Sequence, residues 1–440
     1  MRPLFALQEV TLSAGDTSWV LTSSALVMLM TVGLAFFYGG LVRPKSALNT
    51  IMMSVIALGV IGVQWVVFGY SISFRPGGPW LGGWSWVGFN GVGITADPTY
   101  SATIPLQAHA AFQGMFAIIT PALISGAIVE RMRFRGYLLF LVLWAALVYD
   151  PLAHWVWGIA GSGGWLFKRG ALDFAGGTVV HLSAGVSALV AAKMLGPRKD
   201  FQRAPLAPHN VPFVVLGAGL LWFGWFGFNA GSALAANGVA ALAFVNTNTA
   251  AAAAVVTWGL LDLLRTGKVT AVGAATGAVV GLVGITPAAG FVTPMAAIAI
   301  GLICACISYG AIQIRSRSKL DDSLDVFSCH GLGGAAGALL TGVFATKLAN
   351  PAGADGLLAG NPGQMVTQLI AVGAAIALSV VGTVVIMTIV KFTVGVRSSV
   401  REEISGLDVS DHGEEAYPGG VGIGEGVIFS AAPAGSASSR

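Results

Sequence analysis

Eleven stretches of the chain carry almost no charge and are long enough, as helices, to cross a bilayer. They run 19–42, 47–74, 107–129, 136–158, 173–195, 211–232, 239–264, 271–287, 292–314, 326–346 and 365–394. A hydrocarbon core about 30 Å thick takes roughly 20 helical residues. The segment 271–287 is the shortest and reaches about 25 Å. An odd number of spans puts the two termini on opposite sides. The basic residues choose between the two orientations: 18 Lys and Arg fall on one side, and only Arg2, Arg75, Lys168, Arg169 and Lys347 fall on the other. Loops rich in Lys and Arg stay in the cytoplasm, so the N-terminus is expected outside and the tail inside.

Five spans precede the 196–210 loop and the next five follow it, with the eleventh left over. Because five is odd, the halves insert with opposite orientation, which is the condition for an inverted repeat. The expected fold is an all-α polytopic membrane protein: eleven transmembrane helices, two inverted five-helix repeats plus one extra helix. Residues 1–18 form an external segment; with Glu9 and Asp16 and no continuous apolar core, they do not read as a signal peptide. Residues 19–397 form the membrane domain. Residues 398–440 form a cytoplasmic tail, denser from Gly406 to Tyr417 and disordered in its last 20 or so residues.

Composition narrows the function classes. The chain is 55% hydrophobic and 10% charged, with a net charge of +4. Soluble domains carry about 25% charged residues, so a large soluble core is excluded. The basic residues mark topology rather than a nucleic-acid surface, and the expected surroundings are lipid. Cys304, Cys306 and Cys329 show neither a disulfide framework nor zinc spacing. No cofactor is expected, and no enzyme activity.

Two histidines interrupt apolar runs: His181 in Asp173-Phe-Ala-Gly-Gly-Thr-Val-Val-His-Leu-Ser-Ala-Gly185, and His330 in Asp325-Val-Phe-Ser-Cys-His-Gly-Leu-Gly-Gly-Ala-Ala-Gly337. If Asp173 caps a helix, His181 lies about 12 Å along it, close to the bilayer midplane. An ionisable group at that depth is costly and points to function. Two in similar small-residue settings point to one site shared by the halves. Aromatic residues gather toward the expected outer side. Phe112 and Phe116 share a helix face, Trp157 ends the fourth segment, and Trp225, Phe228 and Ser232 run to the end of the sixth. Aromatic faces attract cations, and a hydroxyl accepts a hydrogen bond. Together they suit a small cation bearing N–H groups.

These residues carry a resemblance. The stretches Ala111-Phe-Gln-Gly-Met-Phe116, Asp173 to His181, Trp225-Phe-Gly-Phe-Asn-Ala-Gly-Ser232 and Asp325 to Gly331 resemble the bacterial ammonium transporters of the Amt/Mep/Rh family. Phe37-Tyr-Gly-Gly-Leu-Val-Arg43 and Gly406 to Tyr417 do so too. The resemblance implies that Phe112, Phe116, Trp157 and Ser232 recruit ammonium outside. It implies that Phe116 and Phe228 gate the pore, that His181 and His330 line it as a relay, and that Asp173 shapes the outer site without touching the ion. It further implies a homotrimer in the cell (inner) membrane, a role in nitrogen metabolism, and a possible PII-type regulatory protein at the cytoplasmic face.

An apolar pore rejects a bare ammonium ion but admits ammonia, and removing the proton at neutral pH costs only about 3 kcal/mol. Potassium has no proton to give up. The competing readings are an ammonium sensor, a passive ammonia or carbon dioxide channel, and a histidine-bound metal enzyme. His109, His154, His209 and His412 are expected to be structural or uninvolved in permeation.

Overall fold

The computed structural model describes residues 11–203 and 207–418. Arg2, Arg440 and the expected disordered end lie outside the described residues. Ten helices are long and apolar enough to cross a membrane, and an eleventh is shorter. In chain order they are α1 (Ala14–Leu41), α2 (Pro44–Phe74), α3 (Leu106–Ala127), α4 (Phe134–Trp157), α5 (Gly177–Leu195), α6 (Val211–Gly231), α7 (Gly238–Thr266), α8 (Ala271–Ile285), α9 (Pro294–Ser316), α10 (Phe327–Phe344) and α11 (Pro362–Thr393). A small hairpin, β1 (Ala96–Asp97) and β2 (Ser101–Pro105), folds inside the α2–α3 loop.

Local chemistry sets the helix starts. Asn210 accepts from the Phe213 N–H, Asn237 from Val239 and Ala240, and Thr270 from Gly273. Each satisfies amides that the first turn leaves unpaired. Helix α8 has 15 residues, and from Gly277 to Ile285 all of it is buried. Its continuation, Thr286 to Gly290, is buried non-helical backbone, which a membrane protein tolerates where other helices cover it.

The two halves meet through glycine. Helix α1 lies against α6, its counterpart in the second half; a Cβ on Gly217 would fall 2.3 Å from the Phe37 nitrogen. Helices α5 and α10 cross with reciprocal contacts. A Cβ on Gly185 would meet Gly331 at 2.0 Å, and one on Gly334 would meet the Gly177 oxygen and the Leu182 nitrogen, each at 2.8 Å. Both helices open in a wide π-helical turn, Gly177–Leu182 and Phe327–Gly331, and each turn holds a histidine. Such turns recur at functional sites.

One detail departs from the sequence reading. Helix α5 begins at Gly177 rather than at Asp173, because Asp173 to Gly176 form a turn closed by the aspartate, with Gly176 at φ +116°. Asp150, an acidic residue inside the fourth apolar segment, is fully buried in α4, where it bonds to Gln64 of α2.

The Arg-rich end is tied by a partly buried ionic network. Arg43 bonds Glu130 (2.9 Å) and Asp200, Arg198 bonds Glu130 (3.3 Å) and Asp321 (2.8 Å), and Arg131 lies 4.0 Å from Asp321. Burial works against the charge on Asp321, yet Arg131 and Arg198 hold its carboxyl below the ordinary range. The tail docks on this end. Asp408 accepts from the Leu48 and Asn49 amides at the start of α2 (3.1 and 2.7 Å). Lys45 Nζ donates to the Glu403 and Ile404 carbonyls (2.8 and 2.6 Å).

Candidate functional site

The aromatic residues singled out above form a continuous chain of ring contacts. The Phe112 and Phe116 rings lie 4.9 Å apart, and Phe116 meets Trp157 edge-on at 6.0 Å. Below them Phe116 and Phe228 stack at 4.1 Å with 28° between their planes. All three phenylalanines are buried. Trp157 is half-buried, and its indole N–H donates to the Asp173 carbonyl at 2.9 Å. Ser232 joins this chain only through its own helix. Its hydroxyl donates to the Phe228 carbonyl at 2.9 Å, which leaves the oxygen lone pairs free to accept from an N–H donor.

The Asp173 carboxylate faces the backbone and not the passage. It accepts from the amides of Gly176 (2.8 Å), Gly177 (2.6 Å), Thr178 (2.8 Å) and Val179 (3.1 Å), and from the Thr178 hydroxyl. It therefore fixes the turn that presents His181.

Under the stack, His181 lies 5.9 Å from Phe228 and 5.3 Å from Trp225, nearly parallel to both. The Trp225 indole N–H is anchored on Thr286 Oγ1 at 2.9 Å. His181 and His330 approach Nδ1 to Nδ1 at 3.3 Å. Two neutral imidazoles bond this way only if one Nδ1 carries a proton and the other does not, so the pair adopts opposite tautomers. Nε2 of His181 is buried with no partner.

Space along the axis is uneven. A narrow cavity of about 10 Å³ lies between the Phe228 stack and the histidines, lined by Leu34, Ile119, Val180, Trp225 and Val279 among others. It has room for about one water-sized molecule. On the far side of His330 a cavity of about 620 Å³ opens toward the Arg-rich end, past Tyr38, Arg315 and Asp325. The space is thus narrow and apolar on one side of the histidines and wide and charged on the other.

Sequence reasoning missed Asp322. Its carboxylate accepts from the Val326 and Phe327 amides (3.1 and 2.8 Å), so it caps the His330 turn as Asp173 caps that of His181. The signal was present: each aspartate precedes its histidine by eight residues. The other histidines have partners elsewhere. His109 bonds Tyr70, His154 bonds the Ser73 and Gly78 carbonyls, His209 bonds Val42 and Tyr417, and His412 bonds Asn49.

Comparison with known proteins adds to this geometry. Residues 18–417 match the model of the Ammonium Transporter Family. An ammonium transporter of Bacillus subtilis (strain 168) is 49% identical over 405 residues, covering 92% of this chain and 98% of that one. The ammonium transporter Amt1 of Archaeoglobus fulgidus is 44% identical over 410 residues, covering 92% of this chain and all (100%) of its own. Among solved structures, Saccharomyces cerevisiae Mep2 superposes with a TM-score of 0.83 at 37% identity and 88% coverage of each chain. A structure described as a Sensor Amt Protein reaches 0.83 at 30% identity, covering 90% of this chain and 98% of the other.

Proposed function

This chain belongs to the ammonium transporter family, and from that premise we propose that it recruits ammonium at the Trp157 end, removes the ion's proton and passes ammonia between His181 and His330. It is a multi-pass membrane protein. Phe112, Phe116, Trp157 and Ser232 bind the incoming ion: the rings by cation–π attraction, the serine by accepting an N–H. The Phe116–Phe228 stack opens for each passage. The ion is split there because the space beneath has no polar group able to replace its hydration shell. Ammonia then donates to or accepts from the imidazoles, and the proton passes along the Nδ1–Nδ1 contact.

The carrying observation is the histidine pair, 3.3 Å apart, beneath a closed aromatic stack in an apolar space of about 10 Å³. A passive gas channel needs no cation-binding serine and tryptophan, so that reading is the weaker one. The Arg-rich end is assigned to the cytoplasm of a cell-membrane protein. Residues 1–18 are assigned as the external segment, 19–397 as the transport domain and 398–440 as the tail. A homotrimer and a PII-type protein at the tail-bearing face extend the same reading. The test is a current measurement on proteoliposomes after an ammonium jump, with His181 and His330 both replaced by leucine. Loss of the proton-coupled current supports the relay. Full current with unchanged selectivity removes it.

A further inference from the structure

We propose that Asp150 is a neutral carboxylic acid that closes a two-bond ring with the Gln64 carboxamide, pinning α2 to α4 behind the aromatic end of the passage. The Asp150 side chain is fully buried and Gln64 nearly so. Gln64 Nε2 donates to Asp150 Oδ2 at 2.6 Å. The other oxygen of each group, Asp150 Oδ1 and Gln64 Oε1, is buried with no donor. Two vacant acceptors on two groups already joined by one bond lack one hydrogen between them. A carboxyl proton supplies it: Oδ1–H donates to Oε1 while Nε2–H donates to Oδ2.

The surroundings favour that state. Among the described residues no Arg, Lys or His forms an ion pair with Asp150. The adjacent titratable group is Tyr149, whose hydroxyl is itself buried without a partner. The Ser73 hydroxyl donates to the main-chain carbonyl of Asp150 at 3.3 Å and also stands near its carboxyl group. An uncompensated carboxylate at this depth is costly, whereas an acid–amide ring leaves no charge to solvate.

The ring sits where it can hold the recruiting aromatics. Gln64 directly precedes the π-helical turn Trp65–Gly69, and Asp150 directly follows the turn Ala145–Tyr149. Trp65 then donates from Nε1 to the Ala110 carbonyl of α3 at 2.9 Å, two residues before Phe112. Helix α4 runs on from Asp150 to Trp157. Asp150 is thus a positioning residue that acts through Trp157 and, by way of Trp65, through Phe112. Its link to ammonium rests on the recruitment reading above; its protonation state does not.

The experiment is infrared spectroscopy of the full chain in lipid, wild type against Asp150→Asn, with ammonium concentration dependence measured in parallel. The wild type should show a carboxylic-acid carbonyl band at neutral and mildly alkaline pH that Asp150→Asn loses. Identical bands in the two proteins would overturn the proposal. Asparagine can still pair with Gln64, so its half-saturating ammonium concentration should stay near wild type, while Asp150→Leu should raise it several-fold. Equal damage from both variants would overturn the ring. An unchanged concentration dependence in Asp150→Leu, with the band still lost in Asp150→Asn, would overturn the positioning role alone. If the leucine variant does not fold, Gln64→Glu serves in its place: an acid–acid ring should shift the Asp150 band, and an unmoved band would count against the pairing.

Discussion

In α5 the histidine turn is capped by Asp173 through four backbone amides and lies under a closed aromatic stack. In α10 the matching turn is capped by Asp322 through two amides and lines a cavity of about 620 Å³ among charged residues. The scaffold is close to symmetric: a wide turn, an aspartate eight residues before the histidine, and a glycine four residues after it. The surroundings are not. The shared scaffold brings the imidazoles together. The unshared side chains make one approach narrow and aromatic and the other wide and ionic.

The scaffold is the part most sensitive to substitution. Leucine at Gly185 would place Cβ 2.0 Å from the Gly331 backbone, which cannot yield as a flexible side chain would. Overpacking of this kind costs about 1–3 kcal/mol where relaxation is possible and more where it is not. Gly185→Leu should therefore abolish folded protein, read as the yield of monodisperse material. Leucine at Gly219, where nothing lies within 4 Å, should leave the yield unchanged.

The caps come next. Asp173→Ala strands four buried amides and Asp322→Ala strands two. At about 1–3 kcal/mol per stranded group, Asp173→Ala should lower the unfolding temperature clearly further. Equal shifts would show that the two turns are held alike.

The aromatic approach should respond in affinity rather than stability. Trp157→Leu removes a cation–π contact of about 0.5–2 kcal/mol and should raise the half-saturating ammonium concentration about two- to thirtyfold. Ser232→Ala removes one acceptor worth about 1 kcal/mol and should raise it about fivefold. Maximal flux should change less than half-saturation in both. An unchanged concentration dependence would remove the recruitment site.

The ionic side should respond to pH. Burial pushes the Asp325 carboxyl up to about 7, against the opposing charge of Arg315. A carboxyl raised in the folded state favours the fold when protonated. Its contribution is complete below about 3.8 and is lost as pH climbs through about 7. The unfolding temperature of the wild type, relative to Asp325→Asn, should fall across that window. A constant difference would contradict the shift.

Much of this comparison can be read from the chain itself. The eleven apolar segments, the histidine stretches and the aromatic residues are local patterns, and α1 to α11 follow them with small changes of boundary. The start of α5 was displaced because an aspartate four residues upstream substitutes for helical bonding, which hydropathy does not register. The π-helical turns have no signature in composition. Asp322 was passed over because the His330 stretch was read from Asp325, which stands nearer the histidine. Asp150 shows in the sequence only as one charge in an apolar run. Its partner, Gln64, lies 86 residues away and is supplied only by the fold.

The central claim is that a dry aromatic passage accepts only a cation able to leave its proton behind. The most direct test is the current across proteoliposomes of the wild-type chain after equal jumps of ammonium and of potassium. The account predicts a saturable current for ammonium and none above empty liposomes for potassium. A potassium current of comparable size would contradict it.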